Sequence, residues 1–309
     1  MNYDVIGDIH GQADKLEALL AKMGYSKQGG LWIPPKGRQA IFLGDLIDRG
    51  PKQLQVLETV RTMIDAGHAQ TVMGNHEFNA IGYVTPNEEV PGEFLRKHSD
   101  KNKDQHREFL RQVGEGSDLH NEWVNWFRTL PPFLDLGGIR VVHAFWHQAH
   151  VDLVSEHYNP KEGWNESFLH ASFEEPTAGW MAMEALTKGL EVDLPEGHFF
   201  VDQSGIRRTR IRTKWWLTDA THYREIALMD QEQLHRIPDI PFTDQFAPMP
   251  IVGAPVFVGH YWMTGTPSIQ TCKVACLDYS AAKDGPLVAY RWDGETELDD
   301  SKFVFAGAK

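Results

Sequence analysis

The first eighty residues alternate short apolar runs with segments of helical periodicity, and this order constrains the fold more strongly than any other feature. Apolar runs typical of buried strands occupy residues 3–6, 40–43 and 71–73. Between them, apolar residues recur at helical spacing over residues 16–23 and again over residues 54–64. This order predicts a parallel, doubly wound sheet at the centre of an α/β fold.

Two long segments interrupt the strand-rich parts of the chain. Residues 84–135 mix charged side chains with helical periodicity, which predicts solvated surface helices. Residues 147–250 are rich in Trp and Pro. Strand character returns at residues 139–142, 255–258, 273–277 and 287–292. We therefore predict a single domain over residues 1–309, with residues 147–250 forming a lid-like insertion within it.

The charge balance limits the partners that the chain can have. Its 309 residues include 30 Lys and Arg against 43 Asp and Glu, which gives a net charge of −13. A protein that binds a nucleic-acid backbone needs a basic surface, so a nucleic-acid polymer is not an expected partner. Any anionic ligand would have to be attracted by a local positive centre, against the field of the whole protein.

The sequence also predicts a cytoplasmic protein without a membrane partner. We find no secretory signal pattern near Met1, and no window approaches the roughly 18 apolar residues that a membrane-spanning helix needs. Cys272 and Cys276 are four positions apart in a strand-like segment, which separates them by about 13 Å and excludes a disulfide. We expect both to be small, reduced core residues.

Polar clusters follow five of the predicted strands. The sequences GDIHG, GDLIDRG and GNHE occupy residues 7–11, 44–50 and 74–77, and two later apolar runs end in histidine. Ligands bind at the carboxyl ends of strands in open α/β sheets, so these side chains are expected to converge. Carboxylate, imidazole and amide groups without a nearby cysteine suit divalent cations rather than a thiolate site. The candidate metal ligands are Asp8, His10, Asp45, Asn75, His143 and His260.

Three further residues of these clusters fit phosphoryl chemistry. One carboxylate can bridge two cations, and two ions about 3.5–4 Å apart can clamp the attacking and leaving oxygens of an in-line displacement. Arg49 offers a guanidinium fork that matches phosphate oxygens. His76 could protonate a leaving alkoxide, and Asp48 could orient that imidazole.

The five segments, in this order, resemble the signature of the calcineurin-like metallophosphoesterases. Within that family they are most similar to the phosphoprotein phosphatase branch, which includes the bacterial serine/threonine phosphatases. The resemblance covers residues 2–80, 135–145 and 255–293. It implies a two-sheet β-sandwich flanked by helices, a four-layer αββα fold, here carrying a helical or irregular insertion. It also implies that the domain is catalytic.

The resemblance further implies a role for each motif residue. One ion would be held by Asp8, His10 and Asp45. A second ion would be held by Asp45, Asn75, His143 and His260. Arg49 would bind phosphate, the His76–Asp48 pair would be the acid, and Asp278 matches a supporting family carboxylate. The cofactor is expected to be two divalent ions, Mn²⁺ first, with Fe, Zn, Ni, Co and Mg as alternatives.

The predicted activity is dinuclear metal-dependent hydrolysis of phosphoesters by a metal-activated hydroxide. The first interpretation is a phosphomonoesterase of the serine/threonine protein phosphatase type. The alternative is a symmetrical dinucleoside tetraphosphatase that hydrolyses diadenosine tetraphosphate. Enterobacterial enzymes of that type tend to carry ARG and GNHD where this chain has Asp48-Arg49-Gly50 and Glu77. A non-catalytic binding module with the same fold is the third interpretation. The partner is accordingly a phosphoprotein, a small phosphoester or a nucleotide, and no oligomeric state is predicted.

One basic run stands out in this acidic chain, at residues 207–214. Strand alternation would place Arg208, Arg210, Arg212 and Lys214 on one face. One interpretation is a second phosphate clamp formed by Arg210 or Arg212. The other is a solvated face or a set of ion-pair partners for nearby acids. The tryptophans at positions 180, 215 and 216 are predicted to be core residues, and the alternative is that they stack on a base or an aromatic ring of the substrate.

Overall fold

The predicted alternation of strands and helices is present in the computed structural model, which describes residues 1–202, 205–242 and 250–307. The strands are β1 (Asn2–Ile6), β2 (Ser26–Gln28), β3 (Leu31–Ile33), β4 (Arg38–Phe42), β5 (Ala69–Thr71), β6 (Phe133–Asp135), β7 (Arg140–Val142), β8 (Tyr158–Asn159), β9 (Gly163–Trp164), β10 (Glu191–Asp193), β11 (Phe200–Val201), β12 (Arg207–Arg208), β13 (Arg210–Arg212), β14 (Val256–Val258), β15 (Val274–Cys276), β16 (Leu287–Trp292) and β17 (Phe303–Ala306). The helices are α1 (Ala13–Lys22), α2 (Gln53–Asp65), α3 (Asn75–Val84), α4 (Asp100–Val113), α5 (Asp118–Phe127), α6 (Gln148–Ser155), α7 (Glu166–Ala171), α8 (Ala178–Lys188), α9 (Tyr223–Ile226) and α10 (Gln231–Leu234), with a 3-10 turn at Asp300–Lys302.

A five-stranded sheet contains the three strands predicted from the first eighty residues. Its strand order is β17-β16-β1-β4-β5. The β1–β4 and β4–β5 pairs are parallel, as predicted, whereas β16 pairs with β1 in the antiparallel sense. The sheet is therefore mixed rather than purely parallel. Helices α1 and α2 pack against its outer side, where α1 contacts β16 and β17 and α2 contacts β5.

A second sheet, of order β15-β14-β7-β6, supplies the other half of a sandwich. One apolar cluster joins the two sheets: Val5 and Ile41 come from the first, and Val141, Phe257 and Ala275 come from the second. These side chains are almost fully excluded from solvent. The predicted two-sheet sandwich with flanking helices is therefore confirmed. Because both sheets direct the carboxyl ends of their parallel strands to one side, the polar clusters are brought to a common edge.

Helices α4 and α5 are not uniformly solvated, unlike the surface helices predicted over residues 84–135. In α4 the residues at positions 106, 109, 110 and 113 are buried, which is the spacing of one helical face. Ser99 caps this helix by accepting a hydrogen bond from the Asn102 backbone N–H at 3.3 Å. The mixed charges on the opposite face explain why the sequence suggested solvent exposure throughout.

The chain divides into two compact units. The first comprises Met1–Lys188 together with Gly253–Lys309, and the second is Gly189–Val252. The second unit contains β10–β13, α9 and α10, and it has its own apolar cluster that includes Ile211 and Ile226. The prediction of a single domain with an insertion at residues 147–250 remains a prediction; the part up to Lys188 lies within the first unit.

The cysteine prediction was right for one residue and wrong for the other. Cys276 is buried within β15, whereas Cys272 lies in the turn that precedes this strand and is exposed. The reason is that the strand begins at Val274, so Cys272 is not part of the alternating pattern. Among the described residues, none of the helices combines the length and the apolar character needed to span a bilayer.

Candidate metal centre and phosphate site

The six predicted metal ligands are all buried at the strand ends of the first unit. Asp8 and His10 follow β1, and Asp45 follows β4. Asn75 begins α3 shortly after β5. The remaining two ligands follow the parallel strands β7 and β14 of the second sheet, and they are His143 and His260.

Asp45 lies at the middle of this group. Its Oδ2 atom is 3.4 Å from His10 Nε2 and 3.4 Å from His143 Nε2. His76 Nε2 is 3.9 Å from the same oxygen. Asp45 thus belongs to two sets of potential ligand atoms that lie within 4.8 Å of one another, one with His10 and His76 and one with His143 and His260. This is the geometry expected of a carboxylate shared by two neighbouring cations.

Backbone carbonyl groups orient two of the imidazoles. His10 Nδ1 lies 2.8 Å from the Ile47 oxygen, and His143 Nδ1 lies 2.6 Å from the Leu43 oxygen. A carbonyl oxygen can only accept, so each Nδ1 carries a proton and Nε2 is the ring nitrogen directed at the site. This orientation makes both rings suitable metal ligands through Nε2.

Asn75 and Asp8 complete the second part of the site. Asn75 Oδ1 is 3.2 Å from His143 Nε2 and 2.9 Å from His260 Nδ1. The His260 backbone N–H donates to Asp8 Oδ2 at 2.9 Å. Asp8 Oδ1 is buried and has no hydrogen-bond partner among the described residues. An orphaned carboxylate oxygen among nitrogen and oxygen donors fits divalent cations.

The electrostatics of the site favour a bound cation. Burial raises the pKa of Asp8 well above its usual value, and the nearby Asp278 and Asp45 carboxylates raise it further. Burial also raises the pKa of Asp45, but His143 and His76 outweigh that effect and hold it well below its usual value. Burial lowers the pKa of His10 to about 4, so this imidazole is neutral at pH 7. Divalent ions would relieve the repulsion among the buried carboxylates.

The backbone of the site is strained at several non-glycine residues. His10, Asp45, Asp48, Arg49 and His260 have φ between 47° and 69°, in the left-handed region that L residues seldom adopt. Such conformations persist only where the surroundings enforce them, and they concentrate at functional sites. Gly259 contributes by its small size, since a Cβ atom there would lie 2.0 Å from Asp8 Oδ1.

Glu77, to which the sequence analysis gave no role, holds the loops of the site together. Its carboxylate accepts hydrogen bonds from the backbone N–H groups of Leu46 at 2.8 Å, Asp45 at 2.9 Å and Gly74 at 3.0 Å. The side chain is fully buried. It therefore fixes the loop after β4 against the start of α3. Its position in the GNHE segment is the sequence feature that could have indicated this role.

Glu77→Ala is expected to lower the free energy of unfolding by about 3 kcal/mol or more, because several buried N–H groups lose their acceptor. Urea denaturation measures this change. Glu58→Ala, which removes an exposed glutamate from α2, is the matched control and should change stability by less than about 0.5 kcal/mol. A Glu77→Ala variant as stable as the control would contradict the role given to Glu77.

His76 and Asp48, the residues predicted to act as an acid with its orienting carboxylate, are hydrogen-bonded to each other. His76 Nδ1 lies 2.5 Å from Asp48 Oδ2, and both residues are buried. Burial lowers the pKa of His76, but the Asp45 and Asp48 carboxylates outweigh it and leave the pKa above its usual value. The imidazole therefore retains a proton readily while its Nε2 atom faces Asp45.

Arg49 is exposed beside the buried ligands and stacks on an aromatic ring. Its guanidinium carbon lies 4.4 Å from the ring centroid of Trp262. That ring is 6.2 Å from the His10 ring, next to the candidate metal centre, and the Lys283 ammonium is 4.6 Å from its centroid. Asp278 accepts the Trp262 backbone N–H at 2.8 Å, which gives this predicted supporting carboxylate a structural role. Trp262 therefore holds Arg49 at the edge of the site.

Trp262→Leu is expected to raise the inhibition constant for inorganic phosphate about two- to fivefold, since it removes a cation–π contact of about 0.5–1 kcal/mol. Competitive inhibition of aryl phosphate hydrolysis provides the measurement. Trp262→Phe keeps an aromatic face and should give a smaller change. Equal inhibition constants in the wild type and in Trp262→Leu would show that the ring does not position Arg49.

The basic run lies in the second unit and makes ion pairs there. Arg210 Nε is 2.8 Å from Asp193 Oδ1, its directly opposite partner in the β10–β13 pair. Arg208 Nε is 2.8 Å from Asp202 Oδ2, just beyond the end of β11. Arg212 is partly buried. These contacts favour the ion-pair interpretation for Arg208 and Arg210, and a phosphate clamp formed by Arg210 or Arg212 remains a prediction.

The tryptophan prediction can be compared residue by residue. Trp215 and Trp216 are buried, as expected of core residues, whereas Trp180 is only partly buried.

Comparison with known proteins agrees with this geometry. The model of the calcineurin-like phosphoesterase family matches residues 1–201. The chain therefore belongs to this family of phosphoric ester hydrolases, and the resemblance found in the sequence is confirmed.

Individual relatives match shorter parts of the chain. The asymmetrical bis(5'-nucleosyl)-tetraphosphatase PrpE of Bacillus subtilis is 40% identical over 87 residues, which are 28% of this chain and 36% of that protein. PrpE of Anoxybacillus flavithermus is 46% identical over 76 residues, 25% of this chain and 31% of that protein. The chain thus spans about a third of the length of these curated relatives.

One solved structure illustrates the shared fold. The cold-active protein-tyrosine phosphatase of a psychrophilic Shewanella species superposes with a TM-score of 0.50 and 16% identity. The match covers 98% of this chain and 80% of that one. At this level of identity the similarity concerns the fold alone.

Proposed function

We propose that this protein is a dinuclear metal-dependent phosphohydrolase that cleaves phosphate monoesters of the kind carried by phosphoproteins. The observation that supports it most strongly is the position of Asp45 Oδ2, 3.4 Å from the Nε2 atoms of both His10 and His143. Asp8 and His10 would share one cation with Asp45. The other would be held by Asp45, Asn75, His143 and His260.

The cations, with Mn²⁺ as the first expectation, would supply Lewis acidity that lowers the pKa of the attacking water and neutralises phosphoryl charge. Arg49 binds the phosphoryl oxygens through its guanidinium fork. His76 donates the proton on Nε2 to the leaving oxygen, while its Nδ1 remains hydrogen-bonded to Asp48. This set of residues needs no nucleophilic side chain, so the phosphoryl group passes directly to water.

A second candidate substrate is a dinucleoside tetraphosphate. It is favoured by the relatives named asymmetrical bis(5'-nucleosyl)-tetraphosphatases, which share up to 46% identity over a quarter of this chain. The alternative activity predicted from the sequence is symmetrical cleavage of the same kind of substrate. The two reactions differ in their products, since symmetrical cleavage of diadenosine tetraphosphate yields ADP alone and asymmetrical cleavage yields ATP and AMP.

Three substrates assayed in parallel test the proposal: p-nitrophenyl phosphate, a phosphoserine peptide and diadenosine tetraphosphate. Metal-free protein is expected to be inactive, and Mn²⁺ is expected to restore hydrolysis, with the phosphopeptide turned over faster than the dinucleotide. Faster dinucleotide cleavage would replace the first substrate by the second. Hydrolysis that persists after chelation, or no hydrolysis of any of the three substrates with any of the six metals, would overturn the proposal.

A further inference from the structure

Asp48 is held by a second histidine that lies outside every recognised motif. Its Oδ2 atom binds His76, and its Oδ1 atom lies 2.8 Å from His106 Nδ1. His106 is 5% exposed. Both carboxylate oxygens therefore have an imidazole partner, and the three side chains form a continuous hydrogen-bonded row.

The amphipathic face of α4 places His106 there. The buried positions of this helix are His106, Phe109, Leu110 and Val113. His106 packs against the rings of Phe109 at 5.0 Å and Tyr83 at 5.3 Å between centroids. A histidine at a position that would otherwise be apolar must find a polar partner, because an unpaired buried donor is costly. Among the described residues its Nε2 atom has no partner, so the bond to Asp48 is its hydrogen bond there.

The direction of the hydrogen bonds follows from the charge of Asp48. Burial raises the pKa of Asp48, but His106 and then His76 outweigh burial and leave the pKa far below its usual value. An ionised carboxylate only accepts, so both Nδ1 atoms are N–H donors. The contact with His106 thus fixes the plane of the carboxylate and keeps Oδ2 directed at His76.

We propose that His106 is a positioning residue for proton transfer, which holds Asp48 in the orientation that aligns His76 with the leaving group. This inference rests on the proposed function. In the step that it assists, a bond forms between phosphorus and the attacking water oxygen as the bond between phosphorus and the leaving oxygen breaks, and the leaving oxygen takes the proton from His76 Nε2. The imidazole becomes neutral, keeps the proton on Nδ1 that it donates to Asp48, and is reprotonated on Nε2 from water.

A purely structural role for His106 makes a different prediction. If it only satisfied a buried oxygen, its loss would destabilise the protein and affect all substrates alike. If it positions the acid, its loss should matter most where the leaving oxygen needs a proton. An alkyl phosphate has such a leaving group, whereas p-nitrophenolate leaves readily without one.

The test compares His106→Phe, which keeps a ring of similar shape but no donor, with His106→Asn, whose amide can donate near the position of Nδ1. In the Mn²⁺-loaded protein, we expect His106→Phe to lower kcat for an alkyl phosphate about tenfold or more and for p-nitrophenyl phosphate less than twofold. His106→Asn should recover most of the loss. His120→Phe is the matched control, because His120 is buried on α5 and bonds the Gly116 N–H rather than Asp48.

An equal decrease on both substrates, no decrease on either, or failure of His106→Asn to recover the loss would overturn the inference. So would a His120→Phe variant with the same leaving-group dependence as His106→Phe.

A second measurement does not depend on activity. The proton on His76 Nδ1, assigned by its absence in His76→Ala, should give a slowly exchanging, downfield NMR signal in the metal-free protein. We expect this signal to persist in His106→Asn and to be lost through exchange in His106→Phe; its persistence in His106→Phe would overturn the inference. A wild-type protein that hydrolyses neither substrate would contradict the proposed function, and the NMR comparison would then still decide the role of His106.

Discussion

Asp45→Asn is expected to remove bound metal and activity together. The substitution keeps Oδ1, which accepts the His76 backbone N–H at 3.0 Å, so the start of α3 retains its hydrogen bond. It replaces Oδ2, the oxygen that faces both His10 and His143, with an amide nitrogen that cannot ligate a cation. We expect kcat/KM to fall at least about 10³-fold.

Metal content and activity are measured on the same preparations of wild type, Asp45→Asn and a control. Asp14→Asn is suitable as the control, because Asp14 is an exposed aspartate that pairs with Lys52 at the surface. The wild type and the control should retain two ions per chain, and Asp45→Asn should retain at most one, bound weakly. Full retention of both metals by Asp45→Asn would contradict the bridging assignment.

His76→Ala is expected to slow hydrolysis in proportion to the need for a proton on the leaving group. For an alkyl phosphate the loss of a general acid should lower kcat by about 10²–10⁴-fold. For p-nitrophenyl phosphate the decrease should be no more than about tenfold, because the leaving group is already stable as an anion.

The leaving-group dependence of kcat across a series of aryl and alkyl phosphates checks this prediction. The slope of log kcat against the pKa of the leaving group should become much steeper in His76→Ala than in the wild type, while the metal content stays unchanged. Parallel slopes in the two proteins, with one common decrease, would show that His76 does not protonate the leaving oxygen.

The fold and the six candidate ligands could be predicted from the sequence because local and global signals coincide at the strand ends. The apolar runs before Asp8, Asp45, Asn75 and His260 stop at a glycine, the run before His143 stops directly at that histidine, and parallel strands carry such clusters to a common edge. Asp8 and His260 are 252 positions apart, yet the His260 backbone N–H donates a hydrogen bond to the Asp8 carboxylate. The antiparallel β16 was not predicted, because the strand pattern of residues 287–292 contains no information on direction.

The residues missed by the sequence analysis lie where chemistry depends on tertiary contacts. His106 is one histidine on an amphipathic helix. The sequence feature that could have indicated its burial is its helical spacing from Phe109, Leu110 and Val113, which form the buried face of α4. Trp262 lies two positions after His260, and its contact with Arg49 joins positions 213 apart.

The most direct test of the account is the position of bound metal. Crystals grown with Mn²⁺ should show two anomalous-scattering peaks, one on each side of Asp45 Oδ2 and about 3.5–4 Å apart. One should be contacted by His10 and Asp8, and the other by His143 and His260. A single peak, or two peaks that do not share Asp45, would contradict the dinuclear site from which the proposed chemistry follows.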